Sequence, residues 1–364
     1  MAEQKKDARR GGAAGARTTV PRTGQNACWN RRGEVVDCTD TGQDGAHKKG
    51  VDWSRPRFKS NGDGTVTDTL TELTWLKDAN VFGEVTWDEA LANARKLEHG
   101  RFGLTDHSEE GDWRLPNVNE MESLLDLSNS RGSVINHEGQ FDNLRVANYW
   151  TSTSVAAFPA LAWYVALAVG PPVFDLKVNL MRMLPVRGTS PLVARTGQKK
   201  CYSTWGVPID DPKDTGQDGE HQAGVPWPDP RFTDNKDGTV TDNLTGLVWL
   251  KNATPFGTQN WEQALDRCNS LADGMYDLSD GSRTGDWRLP NIHELGSLED
   301  YGEHTPALPN RGKDFKNVRQ SLCWSSTTVT SSPNLARFLF VGIGSCVWDH
   351  KGVVMGVWPV RDAR

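Results

Sequence analysis

Two short runs, Asn61-Gly-Asp-Gly64 and Asn235-Lys-Asp-Gly238, carry side-chain oxygens at the close spacing used by calcium loops. Such a loop also needs an oxygen ligand at its first position and a bidentate Glu at its twelfth. In that register the first positions are Lys59 and Thr233 and the twelfth are Leu70 and Leu244, so a hairpin turn with glycine at a positive-φ position explains the same residues better. His47 and His221 sit in Gly-rich stretches that read as solvated loops, poor places for a general base. Cys28 and Cys38 are ten residues apart in a Gly-bearing loop, a spacing that suits a local disulfide. No C-x2-C or H-x3-H pair reads as a zinc site. No paired-carboxylate, Ser-His-Asp or Cys-His constellation occurs twice. The chain therefore reads as non-enzymatic, with no cofactor and no metal.

These candidates come in pairs because the chain repeats itself. From Thr41/Thr215 to Arg187/Arg361, residue n meets residue n+174 without a gap. Thr41-Gly-Gln-Asp-Gly45, Asp63-Gly-Thr-Val-Thr-Asp68 and Gly111-Asp-Trp-Arg-Leu-Pro-Asn117 all recur. So long a period is a whole domain rather than a solenoid unit. The expected units are a basic leader, 1–23, then copy one, 24–190, and copy two, 191–364. The leader holds six Lys or Arg against two acids, and its Gly/Ala/Arg composition predicts disorder. The net charge of −6 excludes an overall basic footprint for nucleic acid. No run is long and apolar enough to span a membrane, and the N-terminus shows no secretory core.

Within one copy, Thr65–Asp68 and 73–77 read as a strand pair. Thr86 and Asn260 open helices with capping-box spacing, as do Asn117 with Glu120 and Asn291 with Glu294. Three more short strands follow the irregular stretch after the second helix. This is an α+β pattern, short mixed and antiparallel strands with two helices per copy. Five Trp pairs, Trp53/Trp227, Trp75/Trp249, Trp87/Trp261, Trp113/Trp287 and Trp150/Trp324, are expected in the cores. Arg114 and Arg288 are expected to pair with a carboxylate under the helix start.

Several motifs together, Asn-x-Asp-Gly-Thr-Val-Thr-Asp, Gly-Asp-Trp-Arg-Leu-Pro-Asn-x-x-Glu, Trp-x-Ser-Thr and Pro-Val-Arg, resemble the C-terminal domain family of the Legionella collagen-like protein over about 55–188 and 229–362. The resemblance implies tandem domains of C-type-lectin-like fold, related to the formylglycine-generating-enzyme variant. It also implies a bacterial secreted or surface protein that binds a protein or glycan ligand. An oxidase of that variant type would need a copper-binding cysteine pair; Cys323 and Cys346 are the candidates, with Tyr149 and Pro172 in their places in copy one. Some proteins of this fold have their final strands rewritten by diversity-generating retroelements, and residues 321–358 fit that description.

The copies agree at 26 of 40 positions from Thr41 to Asn80 but at 9 of 30 from Val155 to Leu184, with length unchanged. Strands that keep a backbone while an exposed face varies would look like this. Alternation then predicts Leu339 and Val341 facing the core and Phe338 and Phe340 facing out. The candidate ligand face comprises Arg337, Phe338, Phe340, Ile343, Ser345, Val347, Trp348, His350, Val353 and Met355 in copy two. In copy one it comprises Trp163, Tyr164, Pro171, Phe174 and Leu176. The competing reading buries both strand faces, one of them against the other copy. A structural surface or appendage subunit is the alternative function.

Overall fold

The hairpin turn at Asp63-Gly64 forms because the Asp63 carboxylate accepts from both the Thr65 amide, at 3.0 Å, and its hydroxyl, at 2.6 Å. Asp237 holds Thr239 at the same two distances. These side chains are spent within the turn, as the hairpin reading requires. The computed structural model describes residues 20–129, 139–168, 170, 172–318 and 322–363. The expected N-terminal disorder thus falls almost wholly outside the described residues.

Among the described residues each copy is mostly sheet with three short α-helices, one more than the two expected, and copy two adds a 3-10 turn at Pro309–Gly312. In copy one, Phe58–Ser60, Thr65–Asp68, Thr74–Leu76 and Val186–Arg187 form a four-stranded antiparallel sheet in that order. Copy two repeats it with Phe232–Asp234, Thr239–Asp242, Val248–Leu250 and Val360–Arg361. A second sheet runs Asn148–Ser154, Leu161–Ala166, Pro172–Leu176 in copy one. Its equivalent, Leu322–Thr328, Leu335–Phe340, Ser345–His350, gains Met355–Gly356 and Thr258–Gln259 at one edge.

All four expected capping boxes are present, at Thr86, Asn117, Asn260 and Asn291. Arg114 meets Glu120 through two bonds of 2.6 and 2.7 Å, and Arg288 meets Glu294 likewise. Glu120 also accepts from the Asn117 amide at 2.9 Å, so one buried carboxylate closes both the cap and the ion pair. Four of the five Trp pairs are fully buried. Trp53 and Trp227 are only partly buried; each lies against a guanidinium, of Arg57 and Arg231 respectively.

His47 and His221 are not in loops. Each ends a four-residue helix, Asp44–His47 or Asp218–His221. Burial and the neighbouring Arg288 push His47 down to about 4, leaving it neutral at physiological pH.

The segment leading into each copy crosses to the other. Residues 20–53 start beside their own copy, where the Leu127 amide donates to Thr23 O at 2.9 Å. They then dock on copy two. Asp44 accepts from Thr23 in its own segment and from Thr327 of copy two, each at 2.7 Å. Gln25 bonds both backbone groups of Thr328. Residues 194–227 do the reverse: Asp218 accepts from Thr196 and from Thr153 of copy one, and Gln198 bonds both backbone groups of Ser154. Gly45 and Gly219 permit the short helices to press on the preceding chain, since an added Cβ would lie 2.1 Å from Ala27 O or 2.4 Å from Lys200 O. One contiguous apolar cluster runs through both copies, from Phe58 and Trp75 to Trp249 and Trp358. The molecule is a pair of copies bound by reciprocal exchange of leading segments, the geometry of a swapped dimer written into one chain.

Candidate functional site

The strands expected to present a ligand face are mostly buried. Leu339 and Val341 do face the core, at 0% and 1% exposure. Phe338, however, is also buried, packed edge-on to Trp324 with centroids 6.0 Å apart. Phe340 is half-buried against the cluster containing Trp261 and Leu265. Both faces of Leu335–Phe340 are thus covered, one by each side of the core. Arg337, Ser345, Met355 and Trp163 are buried as well, which corrects their assignment to a solvent face. Ile343, Val347, Trp348, Tyr164 and Phe174 are half-buried, and Pro171 lies outside the described residues. Only His350, Val353 and Leu176 stand exposed.

The other copy covers part of this surface. The edge strands Pro172–Leu176 and Ser345–His350 approach each other across the boundary without merging their sheets. Trp163 packs edge-on to Tyr301 of copy two, centroids 5.3 Å apart, with Phe174 on its other side at the same distance. At the matching place in copy two stands Arg337, which draws electrostatically on Glu122 of copy one. The same interface is aromatic on one side of the pseudo-two-fold and charged on the other.

Cys323 and Cys346 both pair with Leu339, from opposite sides of its strand. Their backbones are therefore two strand spacings apart, about 10 Å, beyond disulfide reach. Burial and Glu299, which accepts from Cys346 Sγ at 3.8 Å, push the Cys346 thiol well up. Two strand spacings apart, the two are poorly placed for joint copper ligation. Among the described residues no group of three or more His, Cys, Asp or Glu is arranged to hold a metal. Cys28 and Cys38 are disulfide-bonded.

The surface left open is elsewhere. The leading segment of copy two turns over at Ser203–Gly206, and an added Cβ on Gly206 would lie 2.8 Å from Ala160 N of copy one. Lys177 locks this contact. Its amide donates to Ala160 O at 3.2 Å, and its ammonium reaches Tyr202 O and Ser203 O, both at 3.2 Å, over the Trp87 ring at 4.0 Å. Lys351 repeats the arrangement with Trp29 O and the Trp261 ring. Burial pushes both amines down to about 7.

Around the first of these locks the chain exposes Phe158, Leu176, Val178, Leu180, Trp205 and Val207, with Trp205 78% exposed. Beside them a groove of about 540 Å³ runs between the Trp87–Arg95 helix and residues 202–217, with Asp88, Arg95, Lys96, Glu110 and Asp214 on its walls. The two-fold-related surface is different. Arg32 replaces Trp205, Glu34 replaces Val207, Ser332 replaces Phe158 and His350 replaces Leu176; its exposed apolar residues are Val35, Val353 and Val354.

Sequence reasoning named Leu176 alone of the six. Trp205 had a usable signal, being a tryptophan without a counterpart at the repeat spacing. Lys177/Lys351 and Asp44/Asp218 had one too, as shared polar residues, but their partners lie across the copy boundary.

Repeated sheet-rich domains of this kind, each closed by its partner's leading segment, define a tandem two-domain protein with α+β or mainly β folding units. The Lcl C-terminal domain family model matches residues 64–187 and again 238–361, and the chain belongs to that family. Comparison with curated proteins and with solved structures gave no match.

Proposed function

We propose that this is a non-enzymatic recognition protein with C-type-lectin-like copies, and that its ligand face is the composite patch around Trp205. The observation that carries the reading is the excess of exposed apolar residues on one side, Phe158, Leu176, Val178, Leu180, Trp205 and Val207 against Val35, Val353 and Val354 on the other. Exposed apolar clusters with a tryptophan anchor mark binding surfaces. The pseudo-two-fold supplies an internal control, because the same backbone on the other side is served by Arg32, Glu34, Ser332 and His350. The adjoining groove adds charged donors and acceptors to an aromatic anchor, a combination that serves a protein or a glycan ligand. No helix among the described residues is long and apolar enough to cross a membrane. A disulfide at Cys28–Cys38 supports an oxidising, extracellular or surface location.

Retroelement rewriting of residues 321–358 is not part of this proposal, since Arg337, Phe338, Ser345 and Met355 are buried. The oxidase reading is set aside on the Cys323–Cys346 geometry.

The test is a parallel glycan-array and protein-binding screen of the wild type, Trp205→Ser with Phe158→Ser, and Arg32→Ser with Glu34→Ser. Ligands should be lost with the first pair and kept with the second. A ligand retained by both variants refutes this face. If instead the wild type binds nothing but self-associates with concentration, and Trp205→Ser abolishes the association, the patch is an assembly contact and the structural-subunit reading replaces this one.

A further inference from the structure

A cleft runs along the Trp87–Arg95 helix of copy one, between it and the leading segment of copy two. It has two chambers, of about 540 and 400 Å³, that share Leu91, Arg95, Glu110 and Asp214 in their walls. At the helix's first turn Asp88 accepts from the Thr204 hydroxyl, next to the exposed Trp205. At its last turn the Arg95 guanidinium reaches the Asp214 carboxylate and carbonyl, both at 2.8 Å. These two crosspieces lie about 10 Å apart along the helix. An extended segment of about three residues spans that distance.

The cleft is acidic. Its walls carry Asp88, Glu110, Asp214 and Glu220 against Arg95, Lys96 and Arg114, and Arg114 is already held by Glu120 at 2.6 and 2.7 Å. Glu220 is engaged by its own loop, accepting from the Asp214 and Gly216 amides, both at 2.7 Å. Just outside, Glu109, Asp210 and Asp211 stand exposed beside Lys213. Among the described residues the carboxylates of Glu110 and Asp210 meet no donor, so they are open to a partner. The pseudo-two-fold again supplies the contrast. Arg283 and Thr284 stand where copy one has Glu109 and Glu110, Ala46 where the cleft has Glu220, and Arg31 where it has Thr204. The acidic rim is therefore particular to the side that carries Trp205 and is no property of the shared scaffold.

We propose that this cleft receives an extended basic segment of a protein partner, with its lysines or arginines at the Glu110 and Asp214 end and its apolar residues on the patch around Trp205. The inference rests on the recognition face proposed above and narrows its ligand to a polypeptide. Charge complementarity decides the class. A neutral glycan leaves the rim carboxylates unused, and an anionic glycan or a nucleic acid is repelled by them. A bare metal ion lacks a ligand set, since among the described residues no group of three or more His, Cys, Asp or Glu is arranged to hold one. The Arg95–Asp214 pair is 39% and 55% exposed, so it contributes little to stability. An incoming ammonium or guanidinium can take Asp214 from it, which frees Arg95 to donate to a backbone carbonyl of the segment.

The test uses the full chain and the acetylated, amidated peptide Leu-Trp-Leu-Ser-Gly-Ser-Lys-Lys-Lys, whose spacer matches the distance between the two crosspieces. Its controls carry Ser or Glu in place of every Lys. Calorimetry should give a dissociation constant on the order of 0.1 mM for the lysine peptide. The serine peptide should bind at least about tenfold more weakly, and the glutamate peptide more weakly still. Raising salt from about 0.05 to about 0.3 M should weaken the lysine peptide severalfold. Transplanting the copy-two residues, Glu109→Arg with Glu110→Thr, should weaken it about tenfold. Asp210→Asn with Asp211→Asn serves as the second variant should the first fail to fold. No binding of the lysine peptide at about 2 mM, roughly twenty times that constant, overturns the proposal. So does equal binding of the serine peptide, or an affinity unchanged in either folded variant. Trp205→Ser with Phe158→Ser separates this failure from that of the apolar face. If that pair keeps the lysine peptide while the transplant loses it, the cleft stands and the patch falls. If the pair loses it and the transplant does not, the patch stands and the cleft falls.

Discussion

The exchange of leading segments makes a prediction that an unexchanged arrangement inverts. In an unexchanged molecule, Asp44 would reach Thr153 of its own copy and Asp218 would reach Thr327. In the observed arrangement Asp44 accepts from Thr327 at 2.7 Å and Asp218 accepts from Thr153 at 2.7 Å. Both carboxyls are buried, at 2% and 1% exposure. Hydrogen bonds to a charged group contribute about 1.5–3 kcal/mol each, and a stranded partner adds its desolvation cost. Burial raises both carboxyls to about 6, so at pH 7.5 each is largely ionised. Asp44→Ala, which strands the Thr23 and Thr327 hydroxyls, should therefore cost about 2–4 kcal/mol. The assay is a double-mutant cycle by denaturant unfolding at that pH. Asp44→Ala with Thr327→Val should show a coupling of about 1–2 kcal/mol, and Asp44→Ala with Thr153→Val should be additive within about 0.5 kcal/mol. The mirror pairs, Asp218 with Thr153 and Asp218 with Thr327, should behave the same way. Coupling of Asp44 to Thr153 in place of Thr327 would falsify the exchange.

Other consequences are simpler. Arg114→Met leaves Glu120 buried without its cation, so it should destabilise by about 3–5 kcal/mol, whereas a surface change such as Trp205→Ser should stay within about 0.5 kcal/mol; both are read by urea unfolding. Native protein should resist a thiol reagent, because Cys201, Cys268, Cys323 and Cys346 are buried thiols, and should expose all four on denaturation without reductant; prompt native labelling would contradict the burial. Lys177 and Lys351 titrate near 7 in the folded chain against an ordinary 10.5. Between those values the unfolded state binds more protons, so their contribution makes stability rise with pH from about 7 to about 10.5. The Lys177→Met, Lys351→Met double variant should flatten that slope, and an unchanged slope would show that the amines are not depressed.

What the sequence disclosed and what it hid divide along a physical line. Interactions closed within a few residues were legible: the four capping boxes, the Asp63 and Asp237 turns, the Cys28–Cys38 bridge, and the Arg114–Glu120 pair six residues apart. Their geometry is set by local backbone, so spacing reports it. The burial of Trp75, Trp87, Trp113 and Trp150 was legible because each recurs in copy two. The leading-segment exchange was not. Gln25 and Thr328 are 303 residues apart, and nothing in local spacing distinguishes Thr328 from its counterpart Ser154 as the partner. The alternation argument failed at Phe338 for a related reason. Period two identifies which side chains share a face but says nothing of what covers each face, and here the second face is covered too.

The divergence of the copies then acquires a different cause from ligand selection. A symmetric dimer interface uses each position twice, so a side chain must suit both sides of the axis. Fusion into one chain removes that demand. Position 163 is free to become Trp and meet Tyr301, while position 337 becomes Arg and faces Glu122; neither replacement has to work in the other's setting. Backbone length must still be kept, because the strands remain wedged between the core and the other copy. This accounts for low identity without insertions from Val155 to Leu184 better than an exposed variable face does, since Trp163 and Arg337 are 1% and 3% exposed. The argument has a measurable edge. Replacing the aromatic pair by a charged one, Trp163→Arg with Tyr301→Glu, should recover part of the loss caused by Trp163→Arg alone, by about 1 kcal/mol or more in a cycle. If the double variant is no better than the sum of its parts, the two positions did not diverge as partners, and another cause must be sought for the drift.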